Sequence, residues 1–232
     1  MIVIIRKRHL AVAALALCGF GLIAYLLWQP VQETGAFAAD TVVLDAGHGG
    51  ADGGAVAADG TAESSINLAI TIKARDILLF LGHDVTLTRA DEQGLYNDDS
   101  DTIRQKKVAD THNRVALINS VDGAVLLSIH QNALPSSPRT HGAQAFYNSV
   151  APARDLARSI QQALNDAINV DNAKTAAAIP GSVYIMANVD CPGVLVECGF
   201  MSNPQESALL QTAEHQMKLA QAIVCGYLSY EG

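Results

Sequence analysis

From residue 41 onward, apolar stretches of strand length alternate with longer stretches in which apolar residues recur at helical spacing. The strand-length runs are Val42 to Asp45, Val85 to Thr88, Ala124 to Ile129, Ala143 to Asn148, Ser182 to Met186 and Gly193 to Glu197. Several are almost continuously apolar, as a strand must be when helices cover both faces of its sheet. The pattern therefore predicts an α/β domain built on a largely parallel sheet. Ile66, Ile70, Ile77 and Leu81 share one face of a helix that starts near Glu63, and Gly82 is placed to end it. Further helices are predicted over about Lys107 to Asn119, Pro152 to Ile168 and Pro204 to Leu228. The last carries a start signal: Asn203 can cap it, Pro204 suits its first turn, and Glu206 falls at the third helical position. Asp91 to Asp101 is polar and reads as a surface excursion, and no internal repeat interrupts the series.

One apolar run stands apart. Leu10 to Trp28 is uninterrupted and, at about 1.5 Å per residue, spans roughly 28 Å of helix, close to the hydrocarbon thickness of a bilayer. Arg6, Lys7 and Arg8 precede it, which predicts the N-terminus inside and the rest outside. Residues 1–28 are accordingly read as a transmembrane anchor or signal segment, 29–40 as a linker, and 41–232 as the folded domain. Ala36-Phe37-Ala38 offers small residues at the spacing that a signal peptidase reads. The run is longer than a signal core and that site lies well beyond it, which favours an uncleaved anchor. The domain is expected on the outer face of the cytoplasmic membrane or exported.

Composition narrows the partners. The chain of 232 residues carries 15 Lys+Arg against 23 Asp+Glu, and three of the basic residues lie before the apolar run. An acidic exported part argues against non-specific binding to nucleic acid or to an anionic lipid surface. Cys18 lies in the apolar run, leaving Cys191, Cys198 and Cys225 outside. Three cysteines do not make a disulfide scaffold, so unpaired thiols are expected, with a single bridge as the other option.

The candidate chemistry sits where strands end. The first strand runs into Asp45-Ala46-Gly47-His48-Gly49-Gly50-Ala51-Asp52-Gly53-Gly54-Ala55, which lacks both glycine-rich phosphate-binding patterns. The glycines make better sense as open backbone around His48. His130 directly follows a second strand, and a parallel sheet gathers such ends on one edge. Glu63, at the start of the intervening helix, comes up beside them. On its own it is a solvated carboxylate favoured by the helix dipole. Together, two imidazoles and a carboxylate form a hydrolytic zinc set, although dispersed ligands are a weaker signal than a compact motif. Glu197 ends another apolar strand, where a carboxylate is expensive to bury unless it is paired or used. Beside activated water it is placed to act as general base and then acid; the bland alternative is a salt-bridging or capping role. Cys198 raises a thiol-nucleophile alternative, but packing against the core explains it better. Of the remaining histidines, only His112 and His141 are placed to approach the site.

DAGHGGADGGA, then Glu63, SIHQNA and VLVECGFMSNPQE together resemble the bacterial zinc-dependent N-acetylmuramoyl-L-alanine amidases of the amidase-3 type. The resemblance covers the chain from Thr41 to the C-terminus and implies a mixed, mostly parallel sheet flanked by helices. It implies one zinc ion held by His48, Glu63 and His130, with Glu197 as the catalytic glutamate. The implied reaction cuts the amide between the lactyl group of N-acetylmuramic acid and L-alanine, on peptidoglycan glycan strands that carry stem peptides. Arg89, Arg114 and Asn119 also match recurrent family positions and imply structural support for the site. Gln131 departs from the family pattern, where alanine is common, and Met186-Ala187-Asn188 lacks an expected basic residue. Within the family the likeness is to spore germination-associated amidases, which strip stem peptides from cortex so that muramic δ-lactam can form, some with a lipoprotein partner. A non-catalytic peptidoglycan-binding module and a zinc peptidase cutting inside the stem peptide are the alternatives that the residues leave open.

Overall fold

The computed structural model describes residues 41–96 and 102–230. The expected anchor and linker lie outside the described residues, as does the end of the predicted excursion. Among the described residues, no helix is long and apolar enough to cross a membrane.

Six strands form one sheet: β1 (Thr41–Ala46), β2 (Val85–Leu87), β3 (Ala124–Asn132), β4 (Gln144–Tyr147), β5 (Ala177–Ala178) and β6 (Gly193–Phe200). Their spatial order is β2-β1-β3-β6-β4-β5. β2, β1, β3 and β6 run parallel, whereas β4 is antiparallel to β6 and parallel to β5. This is the expected mixed, mostly parallel α/β sheet. Among the described residues six helices accompany the sheet: α1 (Glu63–Phe80), α2 (Ile103–Asn119), α3 (Ala153–Ala167), α4 (Tyr184–Asn188), α5 (Pro204–Leu210) and α6 (Ala213–Leu228).

The continuous apolar runs are explained by two cores, one on each face of the sheet. Leu44, Val125, Leu127 and Val196 pack with Ile70, Leu78, Ile160 and Ile223 from α1, α3 and α6. The alternate positions Val43, Leu126 and Leu195 pack with Ile118 of α2 and Met186 of α4. Because strand side chains alternate between faces, burial on both sides requires apolar residues at every position. Helices α3 and α6 approach so closely that a Cβ on Gly226 would overlap the Ile160 backbone. Gly226→Ala is accordingly expected to lower stability by about 1–3 kcal/mol through overpacking, read as a fall in the urea midpoint.

Three expectations need correction. Ser182 to Met186 is not a strand: the backbone turns at Pro180, where Val183 N donates to Pro180 O, and continues as the short helix α4. Met186 there lies against the α2-side core, and the edge position goes instead to the two-residue β5, too short to leave a periodic signal. The predicted terminal helix is two helices, because Thr212 leaves helical geometry and caps α6 by accepting from His215 N. Helix α2 begins at Ile103, before the expected Lys107, under a reciprocal cap made by Thr102 and Gln105. Asn203 does cap α5, accepting from Gln205 N and Glu206 N. Glu206 is otherwise engaged: its carboxylate accepts from Phe200 N (2.7 Å) and Gly142 N (2.8 Å), joining the end of β6 to the approach to β4.

Candidate metal centre

Three ligand-type side chains converge at the carboxyl end of the parallel strands. Immediately after β1 the chain folds back sharply, with His48 at φ 61° in the left-handed region that a non-glycine residue seldom adopts. β3 delivers His130, and α1 begins with Glu63. Glu63 Oε1 lies 3.3 Å from His48 Nε2 and 3.2 Å from His130 Nδ1. The two imidazole rings meet edge to face with centroids 5.0 Å apart. Among the described residues, His48, Glu63 and His130 form a group whose ligand atoms all lie within 4.8 Å of one another. Tetrahedral zinc with bonds of about 2.0–2.1 Å has ligand–ligand edges of roughly 3.3 Å, which matches both separations to Glu63. The donor set therefore fits a catalytic zinc ion.

Glycines make the convergence possible. A Cβ on Gly47 would overlap the His130 ring, and one on Gly54 would stand 2.5 Å from Glu63 Oε2 and 2.8 Å from His48 Cδ2. Surrounding polar groups fix each side chain. Asp52 Oδ2 lies 2.9 Å from His48 Nδ1, which leaves Nε2 directed at the cluster. Lys107 on α2 contacts the other Asp52 oxygen at 2.8 Å. Glu63 Oε2 accepts from Ala55 N (2.9 Å), and Oε1 accepts from Gln131 N (3.0 Å). Electrostatics agree with a cation site. Burial opposes a charged His48, but the Asp52 and Glu63 carboxylates prevail and push its pKa up to about 9. Burial likewise opposes the Glu63 charge, yet hydrogen bonds from His130 and His48 hold its carboxyl well below the usual range.

Glu197 stands opposite His130 in the β3–β6 register. Its Oε2 is buried without a hydrogen-bond partner. Burial pushes its pKa up, assisted by the Glu63 charge and countered by both histidines. This is the environment of a carboxylate kept ready to take a proton. Cys198 points to the other face, fully buried, and burial raises its thiol far above the ordinary range, which argues against a nucleophile. Cys191, Cys198 and Cys225 are all free, and of these Cys225 is exposed.

The arginines suggested by the resemblance brace the loop from behind. Arg89 donates to Ala46 O (2.9 Å), Gly47 O (3.1 Å) and Ser64 O (2.8 Å). Arg114, 1% exposed, pairs with the fully buried Asp45 (2.7 Å) and Asp110 (2.7 Å) and donates to Ala46 O and His48 O. Asn119 joins α2 to the end of α4 through Asn188 O and Asp190 N. His112 stacks on Tyr184 and His141 contacts Arg139 O, so neither joins the cluster. Sequence reading missed Asp52, Asn67 and Lys107 as supports, although Asp52 stood in the quoted glycine-rich motif. Asp45 supplies a pH prediction. Burial opposes its charge, but Arg114, His130, Ser128 and Thr88 lower its pKa from 3.8 to about 2. The resulting stabilisation of about 2 kcal/mol is present above pH 4 and lost as pH falls through 2. Urea midpoints measured from pH 5 to pH 2 should fall less steeply for Asp45→Asn than for the wild type.

Fold and site together define a single-domain α/β protein with a histidine–carboxylate–histidine cluster of metal-ligand type at its strand ends. Comparison makes the assignment specific: residues 42–228 match the N-acetylmuramoyl-L-alanine amidase family, and the chain belongs to it. It is 37% identical over 190 residues to the germination-specific N-acetylmuramoyl-L-alanine amidase of Bacillus subtilis, covering 82% of this chain and 78% of that protein. The CwlD amidase of Clostridioides difficile, solved in complex with the GerS lipoprotein, is 38% identical with a TM-score of 0.77; the match covers 82% of this chain and 98% of that one. A second solved amidase, from Clostridium difficile 630, is 27% identical with a TM-score of 0.70, over 82% and 95% of the two chains. The expected enzyme class, an amide hydrolase acting on peptidoglycan, is thereby established, as is the expected likeness to the germination amidases.

Proposed function

We propose that this amidase uses one zinc ion, held by His48, Glu63 and His130, to cut the bond between the lactyl carbonyl of N-acetylmuramic acid and L-alanine, with Glu197 as general base and acid. The observation that carries the reading is the pairing of a preformed histidine–carboxylate–histidine cluster with a buried carboxylate oxygen that has no other partner. Bound zinc supplies Lewis acidity, lowering the pKa of water and polarising a carbonyl. Glu197 takes a proton from the attacking water. It then returns that proton to the departing alanine nitrogen, so that the carbon–nitrogen bond breaks to a neutral amine. Burial of Glu197 serves both steps, because a carboxylate with a raised pKa is the stronger base and holds the proton until the nitrogen needs it. Asp52 keeps His48 in one tautomer throughout.

A cleft of about 610 Å³, lined by Val56, Ala133, Pro135, Met201 and Ser207, lies where the segments that follow β1, β3 and β6 meet, and offers room for the stem peptide. The likeness to germination amidases favours spore cortex as the substrate, with muramic δ-lactam formation downstream. A lipoprotein partner follows from the same likeness, and the apolar N-terminal run would hold the enzyme at the outer face of the cytoplasmic membrane. The test is mass spectrometry of muropeptides after incubating the purified protein with cortex peptidoglycan and zinc, with a chelated control. Zinc-dependent release of intact stem peptides beginning at L-alanine is expected; cleavage inside the stem would overturn the reading.

A further inference from the structure

Beneath the cluster, on the α1 side of the sheet, two buried amides form a line ending on Glu63. Gln131 Nε2 donates to Asn67 Oδ1 (3.1 Å). Asn67 Nδ2 donates onward to Glu63 Oε1 (3.2 Å) and to Gly47 O (3.1 Å). Asn67 lies one helical turn after Glu63 on α1, and Gln131 follows His130 on β3. The elements that deliver two candidate ligands thus also deliver both amides. Asn67 is 0% exposed and Gln131 is 4% exposed, so bulk solvent does not reach these groups.

The contacts permit one orientation of Asn67. Turned over, its oxygen would face the oxygens of Gly47 and Glu63, and its NH2 would face the NH2 of Gln131. Gln131 enforces the observed orientation at a cost to itself: its Oε1 is buried without a hydrogen-bond partner. An unpartnered amide oxygen is destabilising in a dry interior, so the hydrogen bond to Asn67 is the favourable part of that side chain's polar chemistry. At the other end, Ala55 N holds Glu63 Oε2, while Asn67 and Gln131 N hold Oε1. Donors on both oxygens restrain the carboxylate from rotating and hold Oε1 beside the two imidazoles.

Resting on the reading of this cluster as a zinc site, we infer that Asn67 and Gln131 are positioning residues for the metal ligand Glu63. Gln131 sets the orientation of Asn67, and Asn67 sets that of Glu63. Neither amide touches substrate or the reacting atoms. If they only filled space in the core, their removal would lower the stability of the metal-free protein and leave its zinc affinity unchanged.

The test measures zinc affinity of the full chain, stripped of metal, by competition with a chromophoric chelator, alongside melting of the metal-free protein. The wild type is expected to bind one zinc per chain. Asn67→Ala should weaken binding by about 10–100-fold, the usual effect of losing a group that orients a ligand. Gln131→Met keeps the volume but removes the amide, and should weaken binding by about 10-fold; it carries the test alone if Asn67→Ala does not fold. The double variant should bind no more weakly than Asn67→Ala, because Gln131 acts through Asn67. Unchanged zinc affinity in Gln131→Met, or effects that multiply in the double variant, would overturn the relay while leaving the zinc reading intact. A wild type that binds no zinc would overturn both.

Discussion

Glu197→Gln is expected to lower the rate of stem-peptide release by about 10²–10⁴-fold, the usual contribution of a general acid–base residue, while one zinc per chain is retained. Glutamine preserves the shape of a side chain that lies against His130 on the neighbouring strand. It cannot take the proton from water or deliver it to the leaving nitrogen. The buried Oε2 of Glu197 has no competing hydrogen bond, so the substitution breaks no structural contact at that atom. Rate and zinc content, measured on the same preparation, decide the matter: wild-type turnover at full occupancy would remove Glu197 from the chemistry, and loss of zinc would recast it as a structural support.

The largest expected loss of stability follows Arg114→Met. Arg114 is buried against the carboxylates of Asp45 and Asp110, and its guanidinium also donates to the carbonyls of Ala46 and His48. Removing it leaves Asp45 charged and fully buried near the end of β1 with only Ser128 and Thr88 as side-chain donors. Breaking a buried pair from one side costs about 3–5 kcal/mol, which for a domain of this size lowers the melting temperature by roughly 6–20 °C. The neutral Asp45→Asn exchange, made in the same background, should recover part of that loss because it removes the unpaired charge. A melting temperature within 2 °C of wild type, on the order of the shift produced by only 1 kcal/mol, would show that the pair is solvated and dispensable.

The sheet was legible because burial on both faces leaves an unmistakable mark: Val125, Leu126 and Leu127 are apolar at consecutive positions and feed two different cores. Two of the candidate site residues were legible for a related reason, since His130 and Glu197 interrupt apolar strands at the edge where a parallel sheet collects its loops. What escaped was set by local caps and turns that composition concealed, or by contacts distant in sequence. Thr212 splits the terminal helix through a local cap that a run of helix-forming residues concealed. Ser182 to Met186 has strand-like composition, yet takes a helical turn beneath α2. Glu206 has the position of a capping residue, but backbone amides at the end of β6 and just before β4 claim its carboxylate. Asn67 stood one turn after Glu63, but its other partners, Gly47 and Gln131, lie 20 and 64 positions away and left no signal.

The place of β6 carries a consequence in time. Among the described residues it is the final strand in the chain, yet it is inserted between β3 and β4, which are made long before it. His48, Glu63 and His130 all belong to the portion synthesised earlier, whereas Glu197 rides on β6. A nascent chain emerging N-terminus first has every candidate metal ligand before it has the carboxylate proposed to move the proton. On the proposed mechanism the centre has no proton carrier until the sheet closes around β6, so completion of the fold would itself arm the enzyme.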